Sequence, residues 1–129
     1  MCLYVNWRDQ VNPSCGWQRI GATPYVDSED YPYNYIRSNT PDQWTCEYRF
    51  EDTAQTGHPT HVDIQVRCKY EELGNDTFEV WVYDGDSWNY VGDMTPTPGM
   101  QWQTIDVSAY FHEFSQVNGA KVRLRYKEI

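Results

Sequence analysis

Leucine is nearly missing from this chain, with three in 129 residues, and alanine and methionine add only four and three. These are the best apolar helix formers, so the material for a helical bundle is lacking. Long apolar runs are lacking too: no stretch approaches the roughly 18 residues that a membrane span needs. Positive charge is scarce. Ten Lys and Arg face nineteen Asp and Glu, for a net charge of −9. A pI near 4.6 argues against nucleic acid as a partner, because phosphate binding needs a basic surface. The four cysteines form no CxxC pair, which disfavours a zinc ribbon or a thioredoxin-type site. No nucleophile elbow, phosphate loop, HExxH pair or EF-hand loop occurs. The opening residues MCLYVNWRDQ carry neither the basic n-region nor the long apolar h-region of a signal peptide. Either export does not use that route, or Met1 follows a removed leader.

Rings and β-branched side chains fill the space. Eleven Tyr, six Trp, eleven Val, ten Thr, five Ile and four Phe favour strands. Leu, Ile, Val and Phe together fall below a fifth of the chain, a share that with this net charge would suggest disorder. Tyr and Trp supply the apolar area that is missing, so the expected core is aromatic rather than aliphatic. The length suits one domain.

Turn signals recur along the chain, among them Asn12-Pro13, Asn39-Thr40-Pro41-Asp42, Gly74-Asn75-Asp76, Asp84-Gly85-Asp86 and Pro96-Thr97-Pro98-Gly99. Between them lie short runs of period two, the pattern of an all-β sandwich. In HVDIQVRCKYEE, Val62, Ile64, Val66, Cys68 and Tyr70 share one face. In TFEVWVYDG, Phe78, Val80 and Val82 oppose Glu79, Trp81 and Tyr83. In AKVRLRYKE, Val122, Leu124 and Tyr126 oppose Lys121, Arg123, Arg125 and Lys127. QWTCEYRFED, SWNYVGD and QWQTIDVS read as further strands. One or two helical turns are expected at 108–115, capped by Ser108.

An even number of cysteines suits disulfides, and hence an oxidising, extracellular or cell-surface setting. Four cysteines allow three connectivities. The expected pairs are Cys2–Cys15, which would staple an N-terminal arm at 1–15, and Cys46–Cys68 inside a sandwich domain at 16–129.

Several segments carry a family resemblance: GWQRIGATPYVDSEDYPYNYI from residue 16, then YRFED, VDIQVRCKYEE, EVWVYDGDSW, WQTIDVS and KVRLRY. In this order they resemble an antiparallel jelly-roll β-sandwich of the galactose-binding-like, carbohydrate-binding-module type. The resemblance implies two sheets, sugar binding on aromatic platforms and a structural calcium ion. It also implies that the closing strand pairs with the long strand near the middle.

The candidate carbohydrate site follows from alternation. Trp81 and Tyr83 stand two apart, opposite the valine face, roughly 7 Å from one another along a strand. An apolar sugar face can stack on such rings, while Gln65, Arg67 and Glu79 reach its hydroxyls. Six of the ten cations, Arg67, Lys69, Lys121, Arg123, Arg125 and Lys127, fall on outward faces of two strands. Paired as the resemblance implies, these strands would form one positive band, with Arg123 and Arg125 placed for an anionic glycan or for a carboxylate of a neighbouring subunit. Asp27, Glu29 and Asp30 make an oxygen-rich loop suited to Ca2+. His58 and His61, three apart, could hold a metal weakly. The enzymatic rival is a polysaccharide lyase using Arg67, Gln65, His61, Tyr83 and Arg123, but a short chain without long loops has little to wall a cleft. The reading is therefore a non-catalytic module that binds a polysaccharide or glycan, with no membrane partner. The alternative is a subunit of an extracellular filament, surface layer or virion that self-assembles when the N-terminal arm adds as a strand to another copy.

Overall fold

Alternation sets the geometry of the long strands. The molecule is a computed structural model that describes residues 2–4, 9–12, 18–20, 35–37, 44, 47–49, 54–69, 77–99 and 101–127. Ten strands run through these residues: β1 (Cys2–Tyr4), β2 (Asp9–Asn12), β3 (Gln18–Ile20), β4 (Tyr35–Arg37), β5 (Glu47–Arg49), β6 (Asp63–Lys69), β7 (Thr77–Tyr83), β8 (Trp88–Met94), β9 (Gln101–Asp106) and β10 (Lys121–Lys127). They form two five-stranded sheets, and every strand pairing is antiparallel. The first sheet has the order β3-β4-β1-β6-β9 and the second β2-β5-β10-β7-β8. The protein is all-β, with little helix among the described residues.

Both sheets turn their β-branched faces inward. Val66, Val80, Val82, Val122 and Phe78 are sealed completely, and Leu124 nearly so. Each such burial stabilises the fold by about 1.5–3 kcal/mol relative to an exposed side chain. Ile64 and Cys68 of β6, Met94 of β8, Val107, Phe111, Ala120 and Tyr126 join them in one cluster, with Val62 and Ile105 packed at its margin. Among the described residues this interior is chiefly aliphatic, with Phe78, Phe111 and Tyr126 as its rings, whereas composition leads one to expect an aromatic core. The tryptophans that are described lie only partly buried or exposed. Val66, Val80, Val82, Val107 and Val122 fill much of the described gap between the sheets, and the described tryptophans are left for the outer faces.

The stretch read as an arm contributes one strand to each sheet. β1 sits between β4 and β6, and β2 pairs with β5. To add to another copy, β1 would have to leave a position where it is paired on both sides. The strand order also corrects the expected neighbour of the closing strand. β10 pairs with β7 along its whole length and with β5, whereas β6 pairs with β1 and β9. The anticipated band of six cations is therefore divided between two sheets, with Arg67 and Lys69 on one and the β10 cations on the other.

Local chemistry explains the turns. Asp84 opens the β7–β8 hairpin by accepting from the backbone N–H groups of Asp86 and Ser87, both at 2.9 Å, and from Asn89 Nδ2 at 3.1 Å. These bonds hold its carboxyl below the usual carboxylate range. Gly85 takes φ = 99°, a conformation that favours glycine. A 3-10 turn at Ser108–Tyr110 precedes a short helix, α1 (Phe114–Asn118). Helical turns were expected in this part of the chain, but the role given to Ser108 needs correction. Its hydroxyl caps no helix and instead accepts from the N–H of Val62 at 2.9 Å, tying the turn to the start of β6.

Cysteine chemistry also differs from expectation. Cys68 is a free thiol, wholly buried, and the Cys46–Cys68 bridge is not formed. Burial pushes this thiol up to about 12. Cys15 and Cys46 lie outside the described residues, and of Cys2 only its place on β1 is described.

Candidate functional site

The outer face of the second sheet gathers rings and cations in rows. β10 and β7 run in register, so Lys121 lies opposite Tyr83, Arg123 opposite Trp81, and Arg125 opposite Glu79. β8 extends the rows, with Trp88 opposite Tyr83, Tyr90 opposite Trp81, and Asp93 opposite Glu79. On the far side of β10, Trp44 bridges to Arg125. The register between β7 and β8 shifts at Val80/Trp81, where Val91 is one residue too many. This β-bulge matters for the face. Trp88, Tyr90, Gly92 and Met94 have the same parity, and Met94 is in the core. Without the extra residue, Trp88 and Tyr90 would point inward with Met94. With it, they join Tyr83 and Trp81 outside.

The rings make a connected cluster. The Trp44 and Trp81 centroids are 5.6 Å apart, edge to face, and Trp81 and Tyr90 are also 5.6 Å apart. Tyr83 and Trp88 stand at 5.5 Å. Arg123 is the hub. Its guanidinium carbon is 4.1 Å from the centre of the Trp44 ring, 4.4 Å from that of Trp88 and 5.9 Å from that of Trp81. Lys121 covers Tyr83 at 4.9 Å. Charge on the aromatic quadrupole holds these cations in place.

Among the described residues, acids balance part of this column. Glu79 Oε1 accepts from Arg125 at 3.3 Å and from Trp81 Nε1 at 3.4 Å. Asp93 lies 3.7 Å from Lys127 Nζ and accepts from the Tyr90 hydroxyl at 2.6 Å. That hydrogen bond, with the negative charge beside it, raises the Tyr90 phenol to about 12. Desolvation lowers the Arg123 guanidinium from its ordinary value, while the nearby Glu47 charge works in the opposite direction.

The residues expected to bind sugar are thus divided. Trp81, Tyr83, Glu79, Arg123 and Arg125 lie together on this face. Gln65 and Arg67 lie on the outer face of the other sheet, where Arg67 is opposite Trp102 and Gln65 opposite Thr104. Trp81 and Tyr83 are on the outer face, as alternation puts them, but they are packed among other rings. Both rings are partly buried among their neighbours, and the exposed large rings among the described residues are Tyr90 and Trp102, at 44% and 42%. Trp44, Trp88 and Tyr90 were missed as members of the site. For Trp88 and Tyr90 no sequence signal was available, because simple alternation turns them inward.

The N-terminal glycosyl-hydrolase-114-associated domain has a family model that matches residues 17–127. The chain belongs to this family. No curated protein and no solved structure matches it. A glycosyl-hydrolase-114-associated domain is carbohydrate-related.

Elsewhere on the domain, His61, Asp63 and Asp106 converge at the end of β6 and β9. His61 Nε2 is 2.7 Å from Asp63 and Nδ1 is 3.9 Å from Asp106. Their ligand atoms lie within 4.8 Å of one another, and all three side chains are solvent-accessible. The Ser108 side chain, and then the Ser108 N–H that donates to Asp106 at 2.8 Å, keep that carboxyl below its usual range. His58 does not join this group. It turns to the His112 carbonyl, 2.7 Å from Nδ1, so the expected His58–His61 pair is not assembled. The calcium candidates Asp27, Glu29 and Asp30 lie outside the described residues.

Proposed function

We propose that this glycosyl-hydrolase-114-associated domain is a non-catalytic carbohydrate-binding module, exported or displayed at the cell surface, which receives sugar on the outer face of the second sheet. One observation carries the reading: five rings, Trp44, Trp81, Tyr83, Trp88 and Tyr90, are collected on one face with hydrogen-bonding side chains among them. Sugar C–H faces pack on such rings, and partly exposed Trp and Tyr lose little conformational freedom on binding. The family's association with a glycosyl hydrolase supports carbohydrate as the ligand class. We read the sandwich as a jelly roll. The strand order supports this, since the chain leaves β6, crosses to β7 and β8, returns to β9 beside β6, and crosses again to β10 beside β7.

Absence of catalysis belongs to the same proposal. The residues that would imitate a lyase are split, with His61, Gln65 and Arg67 on the first sheet's side and Tyr83 and Arg123 on the second's. No single substrate could meet them together.

A glycan array probed with the wild-type domain and with Trp81→Ala and Tyr90→Ala tests the reading. The expected result is a defined glycan signal that both variants weaken. A wild-type domain that binds no glycan, or variants that bind like wild type, would overturn it.

A further inference from the structure

Arg123 differs from the other arginine on its strand in how it is held. Arg125 has a carboxylate partner in Glu79. Arg123 is held by rings that reach it from opposite sides of β10, Trp44 from the β5 side and Trp88 from β8. Ring faces balance charge but accept no ordinary hydrogen bonds. Among the described residues none accepts a hydrogen bond from this guanidinium, and its Nε is closed off from solvent with no partner. Lys121, next along the strand's outer face, rests on Tyr83 and has no carboxylate among the described residues within ion-pair distance.

An arginine arranged in this way is primed for one kind of ligand group. The guanidinium is planar, always charged, and carries five N–H donors in a rigid fork. Two rings at 4.1 and 4.4 Å hold the head in place, Nε is sealed, and the two terminal Nη groups have no acceptor among the described residues. A carboxylate fits such a fork bidentately, and charge-assisted pairs of this geometry are about twice as strong as neutral hydrogen bonds. On the described face Lys121, Arg123, Arg125 and Lys127 stand against Glu79, Asp93 and the nearby Glu47, so an anion would be drawn here by local cations rather than by the net charge of −9.

We propose that the ligand of this face is an acidic glycan, and that Arg123 receives the carboxylate of a uronate residue whose ring lies across Trp81 and Tyr90. This deepens the carbohydrate-binding reading and rests on it. Lys121 adds charge at the edge of the site. Trp44 and Trp88 act as positioning residues that hold the fork.

Titration calorimetry against oligomers of galacturonate, glucuronate and mannuronate tests the proposal, alongside methyl-esterified galacturonate and a neutral oligomer of the same length. Wild type should bind at least one uronate, and esterification should weaken that binding roughly 10-fold or more, as loss of a hydrogen bond to a charged group requires. Arg123→Lys keeps the charge but loses the fork, and should weaken binding by about 10-fold. Arg123→Gln should weaken it further, and raising salt should weaken the wild type. Near-ultraviolet circular dichroism checks that each variant retains its packing. Should Arg123→Gln lose its packing, Arg123→Lys and the ester comparison still decide.

If the ester binds as tightly as the acid, or Arg123→Lys binds like wild type, the carboxylate assignment is overturned. If the neutral oligomer binds, the uronates do not, and Trp81→Ala abolishes the signal, the sugar-stacking face stands and the acidic ligand falls. If nothing binds wild type, both fall.

Discussion

The hub role of Arg123 can be measured without any ligand. The perturbation is a pair of double-mutant cycles, Arg123→Met with Trp44→Leu and Arg123→Met with Trp88→Leu. Met keeps most of the aliphatic stem, so the cycle isolates the charged head. A cation over a ring contributes about 0.5–1 kcal/mol when exposed and about 2 when desolvated. Arg123 is partly buried with its Nε sealed, and its distances to the two rings are nearly equal at 4.1 and 4.4 Å. The expected coupling is therefore about 1 kcal/mol for each ring, with the two values similar. Trp81, at 5.9 Å, should couple at less than about half of that. Urea is the right denaturant, because it leaves ionic strength free to vary. With slopes of about 1–3 kcal/mol/M, a loss of about 1 kcal/mol moves the midpoint by roughly 0.3–1 M. Raising salt from about 0.1 M to about 1 M should leave the ring couplings largely intact while shrinking the Arg125–Glu79 coupling, which is more exposed to screening. Couplings below about 0.3 kcal/mol to both near rings, or an equal coupling to Trp81, would refute the hub geometry.

Two further outcomes follow from groups with shifted proton affinity. Tyr90 should be a late-ionising tyrosine, with a phenolate absorbance midpoint near 12, and Asp93→Asn should bring that midpoint down because the negative acceptor is gone. For Cys68, the folded thiol ionises near 12 and an unperturbed one near 9.0, so the unfolded chain ionises first as pH rises. Stability should be full below about pH 9 and decline above it by about 1.4 kcal/mol per pH unit. Urea melts between pH 8 and 11 measure this, and Cys68→Ala should flatten the decline; an unchanged slope in that variant would assign the loss to other groups.

Much of the fold can be read from alternation. β6, β7 and β10 are regular seven-residue strands, and in a regular strand parity alone decides which side chains turn inward. The inward placement of Ile64, Val80 and Leu124 follows from that rule, and so does the outward placement of Arg123. Which strand lies beside which does not. The pattern of β10 fits equally well against β6 or β7, and the decision rests on sheet order, a long-range property. Arg67 therefore ended on the opposite sheet from Arg123. Composition misled about the described part of the core for a related reason. A count of rings says how much aromatic surface exists, not which side of a sheet carries it. The remaining gap is Val91, since one unpaired residue reverses the parity of everything before it on β8 and leaves no mark in the hydrophobic pattern.

That single supernumerary position gives the ring face an all-or-none character. Exchanging Trp88 or Tyr90 for other side chains would adjust the surface by degrees. Deleting the codon for Val91 would instead swing both residues toward the interior in one step and present Asn89 to solvent in their stead. Gly92, next to it at φ = 144°, is the residue whose backbone freedom makes the offset tolerable. Exchanges at Trp88 and Tyr90 therefore retune this surface only while the length of β8 is left alone.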